Sequence, residues 1–425
     1  MLTKFFKALS LLVSLSAFAD SSLTTISESG SSRATAYTMS SKIIRVGDQT
    51  HVTYLGYGEQ IFVKTLNHKS GTWSGPVLIG SAVDNHGAPT LAADGQGFLH
   101  IVYGPHHGEF KYRVSVRAND SSAWAPETRF GLNGTYASIL IDASDTMHVV
   151  YRGGNASFEN LKLMYQNKSL RAQTWSMPVV LADGGHMSVS YDSSIALGPD
   201  QSLNVGFQFF DHAAAGGRRI GFMKSTDAGR SWTRMNGQPQ AIPATYNTAQ
   251  AIADSPKADL RASKVVMDSK GNAYLTISNL KIIPKSTSLI KINLNGVVNT
   301  LDLRSFLGAN EDFDAYSILT VDSLDRVWVA APFVKRGDSW GGKSTGIKVL
   351  RLNSGVMALS ALKTISNLVA PKAKPEPYWL PVFEHFNGHN EMTDSPGLLF
   401  TRGYGNSSSS LGTSIPTSVL YKSIW

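Results

Sequence analysis

One element recurs five times along the chain and limits its fold more than any other feature: an apolar strand, a turn opened by Asp, and a second apolar strand. The copies run from Thr90 to Asp94 into Phe98 to Tyr103, and from Ile139 to Asp142 into Met147 to Tyr151. They continue from Ile195 to Asp200 into Leu203 to Phe207, from Val265 to Asp268 into Ala273 to Ile277, and from Ile318 to Asp322 into Val327 to Ala330. Several are followed by a third strand, such as Phe110 to Ser115, Leu161 to Tyr165 or Ile220 to Lys224. A fourth is led by Trp, at Trp73, Trp124, Trp175 and Trp232. Short alternating strands bounded by Gly, Asp, Asn and Ser predict an all-β chain. A four-stranded antiparallel module of roughly 50 residues has the size of a propeller blade.

Segments starting near Lys42, His86, Tyr136, Tyr191, Asp259, Asp312 and Leu380 give seven modules, so the expected fold is a single seven-bladed β-propeller of four-stranded antiparallel blades. The last segment is short of strands, and residues near Arg33 to Ser41 are expected to supply the missing one. Ser225 to Trp232 matches the Ser-x-Asp-x-Gly-x-Ser-Trp Asp-box turn of propeller blades, which speaks for architecture and not for chemistry.

Lys4 and Lys7, a short apolar run from Leu9 to Leu15 and Ala17-Phe18-Ala19 read as a signal peptide over 1–19, leaving 20–425 as one propeller domain that is secreted or periplasmic. No stretch approaches the roughly 20 apolar residues of a transmembrane helix. Cysteine is absent, which excludes disulfides and thiolate metal sites. Without the two signal lysines, 37 basic residues face 31 acidic ones, a balance suited to a polyanion met outside the cytoplasm. No Lys/Arg-rich block or nucleic-acid motif is present, so neither nucleic acid nor a membrane is an expected partner. A monomer is expected.

The repeat separates scaffold from chemistry. His51, His100 and His148 occupy the same place in three copies of a His-(Ile/Val)-(Val/Thr)-Tyr strand and read as structural. His86, His106 and His107 break the pattern in one module, and Tyr136 and Arg152 break it in the next, at matching strand ends. Eliminating across a uronate requires neutralising the C5 carboxylate, removing the C5 proton and protonating the leaving O4. Arg suits the first task because its fork matches a carboxylate. His or Tyr suits the others. The residues alone leave open which of His86 and Tyr136 takes which proton.

The run from Asp84 to Pro89 and on through Asp94 to His107, with Tyr136 and Arg152 sixteen residues apart, resembles the seven-bladed propeller ulvan lyases and their relatives with sialidase-like repeats. The likeness is clearest over 84–232. It implies β-elimination on ulvan, a sulfated rhamnose and uronate polysaccharide, with His86 as base candidate, Tyr136 as acid, Arg152 as neutraliser and His106 as helper. Tyr191, His107, Arg218 and Arg219 are candidate substrate contacts, and Arg261 a weaker one. His385 and His389, with His212, form a candidate structural zinc set, although two histidines on a loop are weak support. Catalysis of this kind requires no cofactor. Two rival readings are a sialidase-like glycoside hydrolase, which needs convergent arginines and a Tyr/Glu pair or paired carboxylates, and a noncatalytic glycan-binding propeller.

Overall fold

The computed structural model describes residues 23–154, 160–189, 191–314, 316–338, 341–353, 357–365, 376–404 and 416–424. The expected signal peptide at 1–19 lies outside them. The chain is all-β, with every ladder between its strands antiparallel and no α-helix among the described residues.

The repeated Asp explains the repeated turn. Asp94 Oδ1 accepts from the backbone N–H of Gln96 and Phe98, and Asp142, Asp268 and Asp322 accept in the same way from the residues two and four further on. Such Asx turns offer the backbone an alternative to the ladder and so fix where a strand ends. The second carboxylate oxygen then ties down the following strand: it meets His100, His148, the Tyr274 hydroxyl and the Trp328 indole N–H. His100 and His148 also bond Tyr112 and Tyr165, and His51 bonds Thr65 and Asn119. All three histidines are buried scaffold residues. In the Asp-box, Asp227 accepts from both the amide and hydroxyl of Ser231, and Trp232 is buried beside it.

Among the described residues the strands fall into seven successive units, the second and third joined in one sheet. The strand Thr128–Ile141 pairs through its first half with Gly108–Arg117 and through its second half with Thr146–Gly154, merging two units into one eight-stranded sheet. Strands of neighbouring units pack on one another: Ile43–Val46 lies on Thr90–Ala93, and the succession continues through Thr128–Ile141, Ser194–Leu197, Val266–Met267 and Ile318–Val321 to Tyr378–Phe383, while Gly397–Arg402 returns to Ile43–Val46. Apolar clusters fill the spaces between units, such as Leu140, Val150, Leu181, Val205, Phe207 and Phe209. Each such side chain contributes about 1.5–3 kcal/mol by leaving water.

The missing strand of the last unit is supplied from further upstream than the sequence suggests. Thr24–Gly30 pairs with Thr417–Ser423. The segment expected in that place turns repeatedly instead, with Ala34, Ala36 and Ser40 amides bonding the carbonyls of Ser31, Arg33 and Tyr37. These local bonds take the amides a ladder would need, and they leave residues 33–39 against a cavity.

The loop from His385 to Asn390 is a packing element. Asn387 O accepts from the Ile141 amide, and Gly388 holds φ 128° with room for no side chain: a Cβ there would lie 1.7 Å from Ile141 O. Gly388→Ala is therefore expected to lower stability by about 3 kcal/mol or more, measured by denaturant unfolding, whereas Gly58→Ala, with open space around it, should cost about 1 kcal/mol from its positive φ alone.

Candidate functional site

In four of the units the leading strand is interrupted, and the interruptions set side chains against one cavity. Tyr136, Tyr191, Tyr316 and Leu380 have left-handed φ of 61°, 60°, 69° and 51°, just before the ladders resume at Ser138, Ser194, Ile318 and Val382. Non-glycine residues hold such conformations at a cost of about 1–3 kcal/mol each, which the surrounding sheet must over-determine. All four line a cavity of about 570 Å³.

His86, His106, Tyr136 and Arg152 meet in its wall. Asp84 organises the two imidazoles. Its Oδ1 accepts from the His86 amide at 2.7 Å and lies 3.0 Å from His86 Nδ1, and its Oδ2 lies 2.7 Å from His106 Nδ1. The rings stack with centroids 4.1 Å apart. Burial opposes the charge on Asp84, but the hydrogen bonds from both histidines outweigh it and hold the carboxyl well below its usual range. Arg152 reaches the site by ladder register: it pairs with Thr135, and the irregularity between Thr135 and Ser138 sets Tyr136 beside it. The guanidinium stands 4.5 Å from the Tyr136 ring centroid and 5.5 Å from that of Tyr191.

The sequence overlooks Arg33 and Tyr37 because they precede the repeat. Arg33 Nη1 lies 2.9 Å from His86 Nε2 and also bonds the Tyr37 hydroxyl. A guanidinium only donates, so His86 accepts at Nε2 and carries its proton on Nδ1, toward Asp84. Burial lowers the His86 pKa from its ordinary value, Asp84 raises it, and His106 and Arg33 lower it further; the balance leaves a neutral imidazole. Burial raises the Tyr136 phenol above its ordinary value, with Arg152 and Arg33 pulling back. Tyr136 is consequently a protonated phenol at neutral pH.

Of the other sequence candidates, Tyr191 and His212 line the cavity. His107 stands outside the lining, with Nε2 3.3 Å from Arg152 Nη2. Burial, then Arg152, His106 and His86, push its pKa down to about 4, so it braces Arg152 as a neutral acceptor. Arg218 and Arg219, read as candidate substrate contacts, also stand outside the lining. Their side chains turn to protein groups: Arg218 to the Ala214 and Ala258 carbonyls and Asp211, Arg219 to Asp254 and Tyr246. Arg261, read as the weaker candidate, does line the cavity, paired to Asp259 and 4.8 Å from the Phe210 ring. Tyr316 was missed although it occupies the place of Tyr136 and Tyr191 in its own unit.

The suggested zinc set is not assembled. His212 bonds Ser188, whereas His385 and His389 bond the carbonyls of Leu319 and Asp142 within the packing loop and its neighbours. Among the described residues the single His/Asp/Glu group compact enough for one ion is Asp84, His86 and His106, and its Nδ1 atoms are already engaged with the carboxylate.

Comparison with known proteins fits this geometry. A family model described as a BNR repeat-containing family member matches residues 49–284, more than half of the chain. The chain belongs to this BNR repeat-containing family. It is 23% identical over 388 residues to an ulvan lyase of Alteromonas sp. (strain LOR), covering 74% of this chain and 76% of that enzyme. Its fold matches that of a polysaccharide lyase of family PL25, an ulvan lyase, with a TM-score of 0.71 at 16% identity over 93% of this chain and 95% of the other. A structure of such a lyase bound to -[GlcA(1-4)Rha3S]- matches at 0.70, 16% identity and the same coverage.

Because Asp84 raises the His86 pKa, Asp84→Asn should move the His86 titration further below its ordinary value. Histidine NMR against pH checks this; a titration that stays or rises would contradict the assigned hydrogen bonds.

Proposed function

We propose that this chain is a polysaccharide lyase that cleaves ulvan by β-elimination, leaving an unsaturated uronyl end. The observation that carries the reading is the convergence of Arg152, the Tyr136 phenol and the neutral His86 in one cavity. The similarity to ulvan lyases over three quarters of the chain supports the substrate. The succession of seven units supports a seven-bladed propeller over 20–425. The leader-like start supports secretion or a periplasmic location.

In this mechanism Arg152 holds the C5 carboxylate, without which a carbanion would develop beside an existing negative charge. His86 Nε2 takes the C5 proton. The electron pair of that C–H bond forms the C4=C5 double bond, the C4–O4 bond breaks, and the Tyr136 hydroxyl delivers its proton to O4. His106 shares the Asp84 clamp and keeps the His86 ring in place, and Tyr191 offers an aromatic face to sugar. No metal or other cofactor enters any step.

The hydrolase alternative has three arginines in the cavity, Arg33, Arg152 and Arg261, but Asp314 is the single acidic residue among its described lining residues. Hydrolysis by paired carboxylates therefore lacks its second member there. A noncatalytic glycan-binding role would have no use for a phenol and an imidazole held in complementary protonation states.

Incubation with ulvan should generate the ultraviolet absorbance of the unsaturated uronyl group, and Arg152→Ala should lower kcat/KM by roughly 10²–10³-fold. New reducing ends without that absorbance would indicate hydrolysis. In the pH profile of kcat/KM, loss on the acid side should fall below pH ~6.5, because protonation of the depressed His86 removes the base. Loss on the alkaline side should lie above pH ~10, where Tyr136 would ionise.

A further inference from the structure

We propose that Arg33 is a second carboxylate-binding catalytic residue, which caps the His86 base in the free protein and releases it when a uronate binds. This inference rests on the lyase reading and assigns a role to a residue outside the repeat. Its basis is the bond from Arg33 Nη1 to His86 Nε2, the one ring nitrogen not turned toward Asp84. While that bond stands, the lone pair that must take the C5 proton is occupied. A cationic donor is also a poor neighbour for an imidazole that has just gained a proton.

Arg33 and Arg152 line the same cavity as Tyr136, with Arg152 over the Tyr136 ring and Arg33 bonded to Tyr37, whose ring centroid is 4.6 Å from that of Tyr136. A carboxylate entering beside Tyr136 offers Arg33 a charged acceptor in place of a neutral one, and charge-assisted hydrogen bonds are roughly twice as strong as neutral ones. The exchange moves the guanidinium from Nε2 to the substrate. It frees the base and adds positive charge where the carbanion develops. The Tyr37 hydroxyl, also bonded to Arg33, keeps the side chain near both positions. Binding of the correct anion would thus assemble the base, a form of induced fit.

The groups facing His86 are Asp84, His106 and Arg33, with the Tyr37 and Tyr136 rings 5.9 and 6.2 Å away and His107 beyond His106. Removing Arg33 takes one cation from this set and leaves the others. The test uses Arg33→Met and Arg33→Lys in the full chain. In the first arm, histidine NMR of the free protein follows His86 against pH. Arg33→Met should raise its pKa and Arg33→Lys should leave it nearer the parent value; an unchanged titration in Arg33→Met overturns the capping role whether or not the protein cleaves ulvan. In the second arm, an ulvan oligosaccharide is titrated into the slow Tyr136→Phe variant. His86 should become easier to protonate on binding, and adding Arg33→Met should weaken binding by about tenfold or more. Binding that leaves the His86 titration where it was in the free protein overturns the exchange. A protein that passes the first arm yet neither binds nor cleaves ulvan would refute the lyase reading and leave the Arg33 to His86 contact standing.

Discussion

The site depends on a backbone constraint: in four units the leading strand does not run straight past the cavity. A regular strand alternates its side chains between the two faces of its sheet, toward the neighbouring units, and points none along its axis into the cavity. The breaks before Ser138, Ser194, Ile318 and Val382 place Tyr136, Tyr191, Tyr316 and Leu380 in left-handed conformations and direct them inward. Asx turns at the other end of the Tyr136, Tyr191 and Tyr316 hairpins keep their ladders in register while the cavity end departs from regularity. Strain at one end is thus held by ordered hydrogen bonding at the other.

The same division governs the electrostatics. Carboxylates at the turns satisfy backbone amides and histidines, while the cavity concentrates guanidinium groups around phenols and imidazoles. Asp84 is the link between the two uses of Asp: it makes an Asx-type bond to the His86 amide and also grips both catalytic-site imidazoles. Its charge favours protons on the two Nδ1 atoms, and Arg33 favours a bare Nε2 on His86. A cavity with this charge pattern suits an anionic ligand and keeps the His86 imidazole unprotonated beside cations.

The repeat made most of the fold readable, because the Asp that opens each turn and the alternating strands are local signals. His51, His100 and His148 were separable from His86 and His106 on the same ground, since one set keeps the period and the other breaks it. Tyr136 and Arg152 were readable through hairpin spacing. What the repeat did not encode was lost: the closing strand Thr24–Gly30 pairs with the far end of the chain, and Arg33 and Tyr37 reach the site from an irregular segment. Arg218 and Arg219 lie on a strand next to the site and serve local pairs. The metal-like spacing of His385 and His389 also suits a loop whose histidines donate to carbonyls. The double duty of Thr128–Ile141 in two units was equally hidden, as nothing local marks a strand that changes partners halfway.

The most direct test of the account is a structure of the Tyr136→Phe variant with an ulvan oligosaccharide in the cavity. The uronate carboxylate should lie within hydrogen-bond distance of the Arg152 guanidinium, with C5 facing His86 Nε2 and O4 facing the ring edge at position 136. A sugar bound with its carboxylate turned away from Arg152, or seated on another part of the surface, would contradict it.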